Sequence, residues 1–337
     1  MSTDDSRSGI LAGGNWLLDF VKIIDIWPAQ DQLATILRQT VANGGGPYNV
    51  LKDLRKLGAP FPLSGIGLLG DDANGHTIRA DCEKHGIDTA QLHTSPTSYT
   101  SYTDVMSAQD TGRRTFFHHR GTNALLGTEH FDFSSTKARI FYLGYLLLLD
   151  RMDIININGE TGATTVLRAA RKAGLRTFVD VVSVAHPKAS AIIEAALGEV
   201  DILCLNEFEA GLATGLELGQ DKEIDTATIR NAARVLLDCG VNEAVVIHFS
   251  RGVHVVTKDG RAFHQAALKL PKEKITGATG AGDALAAGLL YALHEGWSWP
   301  RALELAVCVA ASSLFDPSAS DGILPLAQCL QLKDIYA

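Results

Sequence analysis

No stretch of this 337-residue chain is long and apolar enough to span a bilayer. Its polar opening, Met1-Ser-Thr-Asp-Asp-Ser-Arg-Ser8, has no apolar run fit for a secretory leader. Membrane insertion and export are therefore not expected. Positive charge is also short, with 30 Lys and Arg against 38 Asp and Glu, and a net charge of −8 suits nucleic acid poorly. Cysteine is sparse. Cys82, Cys204, Cys239, Cys308 and Cys329 are odd in number and lack metal-ligand spacing, so they read as reduced thiols of a cytoplasmic protein. The phosphate loop with an embedded lysine, Gly-x-x-x-x-Gly-Lys-Ser/Thr, is missing, as are internal repeats and low-complexity linkers.

What is present is apolar material, 46% of the residues, enough for a large core. Short apolar runs predict strands at Ile10–Gly13, Leu63–Leu69, Ile140–Gly144, Thr177–Val181, Ile202–Leu205 and Ala244–His248. Helical patterns fall at Asn49–Leu57, Gly162–Ala173, Lys188–Leu197, Glu207–Thr214, Thr226–Cys239, Ala281–His294 and Arg301–Ser312. Such alternation predicts one α/β domain over 1–337, doubly wound, with a mostly parallel sheet covered by helices on both faces. Ligands of such folds sit beyond the carboxyl ends of the strands. Two segments depart from the alternation, about 15–25 and 98–122, and both read as antiparallel strands inserted in the domain.

The most informative stretch is Thr276-Gly-Ala-Thr-Gly-Ala-Gly-Asp283, which runs directly into the apolar helix Ala284–His294. Small residues let the backbone pass close to a ligand, and the free N–H groups of a helix start can hold a phosphoryl group. A carboxylate inside an anion site is a poor choice for binding phosphate alone. It suits a reaction in which a hydroxyl loses its proton as a phosphoryl group arrives, which makes Asp283 the candidate acceptor and the Gly280, Ala281 and Gly282 N–H groups candidate stabilisers. A helix terminus is expected to lower the Asp283 pKa and keep it ionised. Asp19, between the first strand and the first inserted segment, could take two hydroxyls of a sugar, or merely cap a turn. Asn49 could cap the helix that follows it, and Asn206 with Glu209 could cap another.

Thr279-Gly-Ala-Gly-Asp283 with its small-residue helix resembles the C-terminal signature of the ribokinase-like (PfkB) carbohydrate kinases. Gly44-Gly45-Gly46-Pro47-Tyr48-Asn49, then Leu57-Gly58 and Gly70-Asp71-Asp72, resembles the N-terminal signature of the same family, in the right order. The resemblance covers roughly 9 to 320 and implies ATP-dependent phosphorylation of a hydroxyl on a small carbohydrate. By the same match Asn15, Asp19, Gly44, Gly45 and Asn49 would bind the acceptor, and the inserted segments would form a β-sheet lid and a possible homodimer surface. Leu205-Asn206-Glu207-Phe208-Glu209 resembles the family's Asn-x-x-Glu motif, which implies Mg2+ near Glu209, held through water. Asn206, Glu209, Ser250, Gly252 and Thr279 would then line the nucleotide site.

The chain departs from the family in places. His248 and Ser250 stand where Thr-x-Gly is usual, and Val307 where an Asn near the adenine is frequent. Asp180-Val-Val-Ser183 lacks the common Asn and Arg, and Gly277 and Ala278 replace an Asp and a Thr. Any monovalent-cation site there would depend on backbone carbonyls. Between Thr111 and Asn123 lie Arg113, Arg114, His118, His119 and Arg120, which read as an exposed lid strand or as a site for a phosphorylated acceptor. Arg120 and Asn123 are the expected sugar contacts. A nucleoside kinase stays open, because Gly14-Asn15-x-Leu17-Leu18-Asp19 resembles the opening of adenosine kinases. So does a non-catalytic sugar or nucleotide sensor of the same fold.

Overall fold

The computed structural model describes residues 7–111, 113–219 and 225–337. The first half runs β1 (Ile10–Gly14), β2 (Leu17–Ile24), β3 (Ile36–Gly44), α1 (Gly46–Leu57), β4 (Leu63–Gly70), α2 (Ala73–Lys84) and β5 (Asp88–Ser95). There follow β6 (Tyr102–Ala108), β7 (Arg114–His119), β8 (Ile140–Leu146), α3 (Gly162–Lys172), β9 (Arg176–Val181), α4 (Ala189–Leu197) and β10 (Ile202–Asn206). The remainder is α5 (Glu207–Thr214), α6 (Thr226–Asp238), β11 (Ala244–Phe249), β12 (Gly252–Thr257), β13 (Ala262–Ala266), α7 (Ala281–His294), α8 (Trp299–Ser313) and α9 (Leu326–Tyr336).

Nine strands form the main sheet in the order β13-β12-β11-β10-β9-β8-β1-β4-β5. From β11 to β5 every pairing is parallel, and only β12 and β13 add antiparallel edges. Parallel strands need both faces covered. Two apolar clusters do this, one built on α1, α7 and α8, the other on α3, α4 and α6. The expected strands and helices all appear, with ends shifted by at most three residues. The α1 start is the largest shift. Gly45 (φ 87°) ends the preceding strand and Pro47 opens the helix, so α1 begins at Gly46 and Asn49 lies inside it. The reading of Asn49 as a helix cap is therefore corrected.

A second sheet, β3-β2-β6-β7, stands where the lid was expected. Its pairing corrects the antiparallel reading in part: β2 runs antiparallel to β3 but parallel to β6, and β3 was not foreseen. Among the described residues no helix is long and apolar enough to cross a membrane. Residues 1–6, most of the opening judged unfit as a leader, lie outside the described residues.

Candidate active site

Where β1 ends, the chain turns sharply into β2. Trp16 locks this turn, fully buried, with its indole N–H on the Ile66 carbonyl at 2.8 Å and its ring stacked on Tyr48. Three residues on, β2 carries the Asp19 carboxylate beside Gly44 of β3, where a Cβ would stand 2.7 Å from Asp19 Oδ2. Gly45 passes so close to the Asn15 carbonyl (2.2 Å to an added Cβ) that its positive φ and lack of side chain are both required.

Opposite, α7 begins at Gly280, whose φ of 76° and 2.8 Å clearance to Ala319 again admit only glycine. The first-turn N–H groups of α7 have no helical partners, and Ala281 and Gly282 line a cavity beside them. Asp283 follows in that turn, 6% exposed. Asn49 Nδ2 donates to its Oδ2 at 2.8 Å, and the Tyr145 hydroxyl donates to Oδ1 at 2.7 Å and Oδ2 at 2.9 Å. Asn49 is itself held, its Oδ1 accepting from Asn43 Nδ2 at 2.6 Å. Tyr145 was missed in the sequence, where it sits in an apolar run.

Burial governs the charges here. It pushes Asp283 up to about 6, against the Asn49 and Tyr145 hydrogen bonds that lower it. The expectation that the helix start would depress this pKa is thus overturned, because burial raises it by more than the hydrogen bonds lower it. Burial likewise pushes Asp19 up to about 7, held back by the Thr103 hydroxyl and raised further by the Asp283 charge. Asp19 and Asp283 are therefore near enough for their charges to repel.

Asn15 is fully buried, and its amide is committed to the chain: Nδ2 donates to the Leu148 carbonyl at 3.0 Å, and Oδ1 accepts the Tyr145 N–H at 2.5 Å. It shapes the loop that carries Tyr145. The expected lid contacts are also reassigned. Arg120 pairs with Asp150, and Asn123 is spent on the Trp16 main chain at 3.2 Å in both directions. It is Arg114, on β7, that crosses to the body and donates to the Thr279 hydroxyl.

On the far side of Gly282 lies a cavity of about 560 Å3. Asn206, Ser250, Gly252, Ala281 and Gly282 all line it, joined by His248 and the apolar Leu268, Ile275, Val307 and Leu314. An apolar slot with polar groups at one end suits a flat base joined to phosphates. The His248 ring lies 3.4 Å from where a Gly282 Cβ would be, and burial lowers its pKa to about 4, so it is neutral at pH 7.

Asn206 and Glu209 form a capping box on α5. Asn206 Oδ1 accepts the Glu209 N–H at 2.9 Å, and the Glu209 carboxylate accepts the Asn206 N–H at 2.9 Å. Glu209 also accepts from Asn206 Nδ2 and the Ser183 hydroxyl. Burial pushes Glu209 up to about 7, and beside it Asp180 is raised too, by burial and then by the Glu209 and Asp283 charges. Among the described residues no group of three or more His, Cys, Asp or Glu could ligate a metal directly. A dication held through its waters fits this site, because it would neutralise two buried carboxylates without displacing their hydrogen bonds.

A family model described as pfkB family carbohydrate kinase matches residues 19–325. The bifunctional protein HldE of Rhodopseudomonas palustris strain HaA2 is 27% identical over 327 residues, covering 91% of this chain. The chain spans 60% of that relative's length. A 5-dehydro-2-deoxygluconokinase of Clostridium perfringens is 27% identical over 290 residues, covering 82% of this chain and 80% of its own. The solved structure of Arabidopsis thaliana ribokinase with ribose and ATP superposes with a TM-score of 0.79 at 22% identity, over 97% of this chain and 98% of that one, which shows a shared fold.

Proposed function

Because the chain belongs to the pfkB family of carbohydrate kinases, phosphotransferases with an alcohol acceptor, we propose that it moves the γ-phosphoryl group of ATP to a hydroxyl of a small carbohydrate. One observation carries this reading. A buried carboxylate, Asp283, is gripped by Asn49 and Tyr145 in the first turn of α7, one residue beyond Gly282, which lines the nucleotide-sized cavity.

In this reading the acceptor lies between Asp19 and Asp283, and Gly44 and Gly45, which pass close to Asp19 and Asn15, present their backbone to it. As the P–O bond to ADP breaks and the bond to the acceptor oxygen forms, the hydroxyl proton passes to Asp283. The N–H groups around Gly280, Ala281 and Gly282 stabilise charge on the phosphoryl oxygens. Asn49 and Tyr145 orient the base, and Asn15 positions Tyr145 through its main chain. Asn206, Ser250, Gly252 and Thr279 border the nucleotide, and Glu209, with Asp180 beside it, would hold Mg2+ through water, where the metal would supply positive charge against the phosphates. Carbonyls around Gly277 and Ala278 are what a monovalent cation would have to use. The lid sheet covers the acceptor and excludes water. Its exposed Ile36, Leu37, Val41, Phe116 and Phe117 suit contact with a second copy of the chain, which sedimentation at rising concentration tests. A cytoplasmic setting agrees with five free cysteines.

The test is ATP consumption with Mg2+ across neutral sugars, sugar phosphates, keto-deoxy sugar acids and nucleosides. Turnover of a carbohydrate supports the proposal, and turnover of nucleosides alone would replace the acceptor class. ATP binding without turnover of any acceptor would favour the sensor.

A further inference from the structure

One row of side chains crosses the lid sheet on the side of Asp19. Asp19 on β2 pairs with Thr103 on β6, and Thr103 pairs with His118 on β7. Residues directly opposite one another in a sheet point to the same side, so His118 faces the side that Asp19 faces. The three are also joined. The Thr103 hydroxyl donates to the Asp19 carboxylate and lowers its pKa against burial. The same Oγ1 lies 3.0 Å from His118 Nδ1. The other ring nitrogen, Nε2, is buried and has no hydrogen-bond partner among the described residues.

Proton counting decides what that nitrogen can do. Thr103 has one hydroxyl proton, and with Asp19 ionised that proton is spent on the carboxylate. Thr103 must then accept from His118, which puts the ring proton on Nδ1 and leaves Nε2 a bare lone pair. Burial, then the Arg120 and His119 charges, lower the His118 pKa to about 4, with Asp150 and the Tyr102 main chain acting the other way, so the ring is neutral at pH 7. It has no second proton with which to hold an anion. Arg120, whose charge reaches the ring, is itself paired with Asp150. A buried acceptor left without a donor costs stability through its lost hydration. A hydroxyl from outside the chain would supply that donor.

We propose that His118 is a specificity-determining residue of the acceptor site, whose Nε2 accepts the proton of a second hydroxyl beside the one that donates to Asp19. This deepens the carbohydrate-kinase reading above and rests on it. The chemistry so defined is a neutral diol at the lid end of the acceptor. A carboxylate or a phosphate dianion placed there would meet a lone pair on His118 and a negative charge on Asp19, with no proton to give to either. Within the basic run from Arg113 to Arg120, His118 therefore serves a hydroxyl and not a phosphorylated group.

Two measurements on the full chain test this. Histidine ring 15N shifts, with the His118 signals assigned by their loss in His118→Phe, should show Nδ1 protonated and Nε2 bare at pH 8, where Asp19 is ionised. The reverse tautomer would overturn the proposal. Calorimetry then follows ribose, fructose, glucose, their phosphates and gluconate, and the monodeoxy analogues of whichever binds tightest. One deoxy analogue should bind the parent about tenfold more weakly than the sugar, the scale of one hydrogen bond. His118→Phe should lose the same factor for the sugar and nothing further for that analogue. His118→Gln, which returns an acceptor oxygen near the Nε2 place, should recover part of the loss. ADP affinity within about twofold of the parent checks that both variants fold. Equal losses for the sugar and all its deoxy analogues would make His118 a prop of the lid, and parental affinity in His118→Phe would remove it from the acceptor. If the sugar pattern holds and no ATP is consumed, the kinase reading fails and the His118 assignment stands. If ATP is consumed and the pattern is absent, His118 falls and the kinase reading stands. Binding of no sugar at all would sink both.

Discussion

Asp283 is where the geometry and the chemistry can be separated by one atom. Asp283→Asn keeps the shape and can keep the Tyr145 contact, yet it removes the acceptor for the hydroxyl proton. A positioned base contributes about 10²–10⁴-fold, so kcat should fall by that much while nucleotide affinity holds or improves. Full activity would end the mechanism proposed here. Tyr145→Phe makes a subtler test. The two hydrogen bonds of Tyr145 favour the charged carboxylate, so without them the pKa of Asp283 rises from about 6. A base must be ionised to act, and the acid limb of kcat should therefore move to higher pH, with roughly a tenfold loss at pH 7. An unshifted limb would remove Tyr145 from the control of the base. Asp283 and Asn49 were legible because each stands in a motif whose spacing is chemical. Tyr145 was not, since Tyr142-Leu-Gly-Tyr-Leu146 reads as any buried strand and its hydroxyl matters only once α7 is packed against it.

At the scale of elements, α5 carries two roles on the same atoms. Glu209 closes a capping box on Asn206, and in the kinase reading proposed above the same buried carboxylate, beside Asp180, would hold the metal through water. Glu209→Gln distinguishes the roles, because glutamine also serves in a capping box. The urea midpoint should stay close to the parent while magnesium-dependent turnover drops and needs more magnesium. If both match the parent, the pair is a cap and nothing more. Elements with strong apolar patterns, such as β4, β8, β10 and α7, were readable from sequence alone. The unread ones had a physical reason. The β3 strand is exposed along most of its length, and α2 buries only Gly75, Ile78 and Cys82, so neither shows a clear apolar period. The parallel pairing of β2 with β6 depends on two segments separated by residues 25–101, which no local pattern records.

For the whole molecule, the site is a concentration of buried negative charge that folding must tolerate. Asp19 shows this most directly. The residue is 9% exposed and burial raises its pKa to about 7 in the fold, against an ordinary 3.8. The native state thus holds this proton more tightly than the unfolded chain does. Below about pH 3.8 both states are protonated and Asp19 costs nothing. As pH rises towards 7 the unfolded chain releases the proton first, so stability falls, and above 7 the full penalty is present. The gap between 3.8 and about 7 corresponds to ~4 kcal/mol as an upper figure. Asp19→Asn removes the charge with little change of volume. Urea unfolding should show the variant more stable than the parent at pH 8 by a few kcal/mol, with the difference shrinking steadily towards pH 4. Acceptor KM should rise in the same variant, by the ~1.5–3 kcal/mol of a charge-assisted hydrogen bond, while ATP binding stays nearly unchanged. Equal stability of variant and parent at pH 8 would mean that Asp19 is solvated in the open protein and that the lid, not the fold, creates its burial. A stability gain without any change in acceptor KM would leave the charge real but take it out of the substrate site.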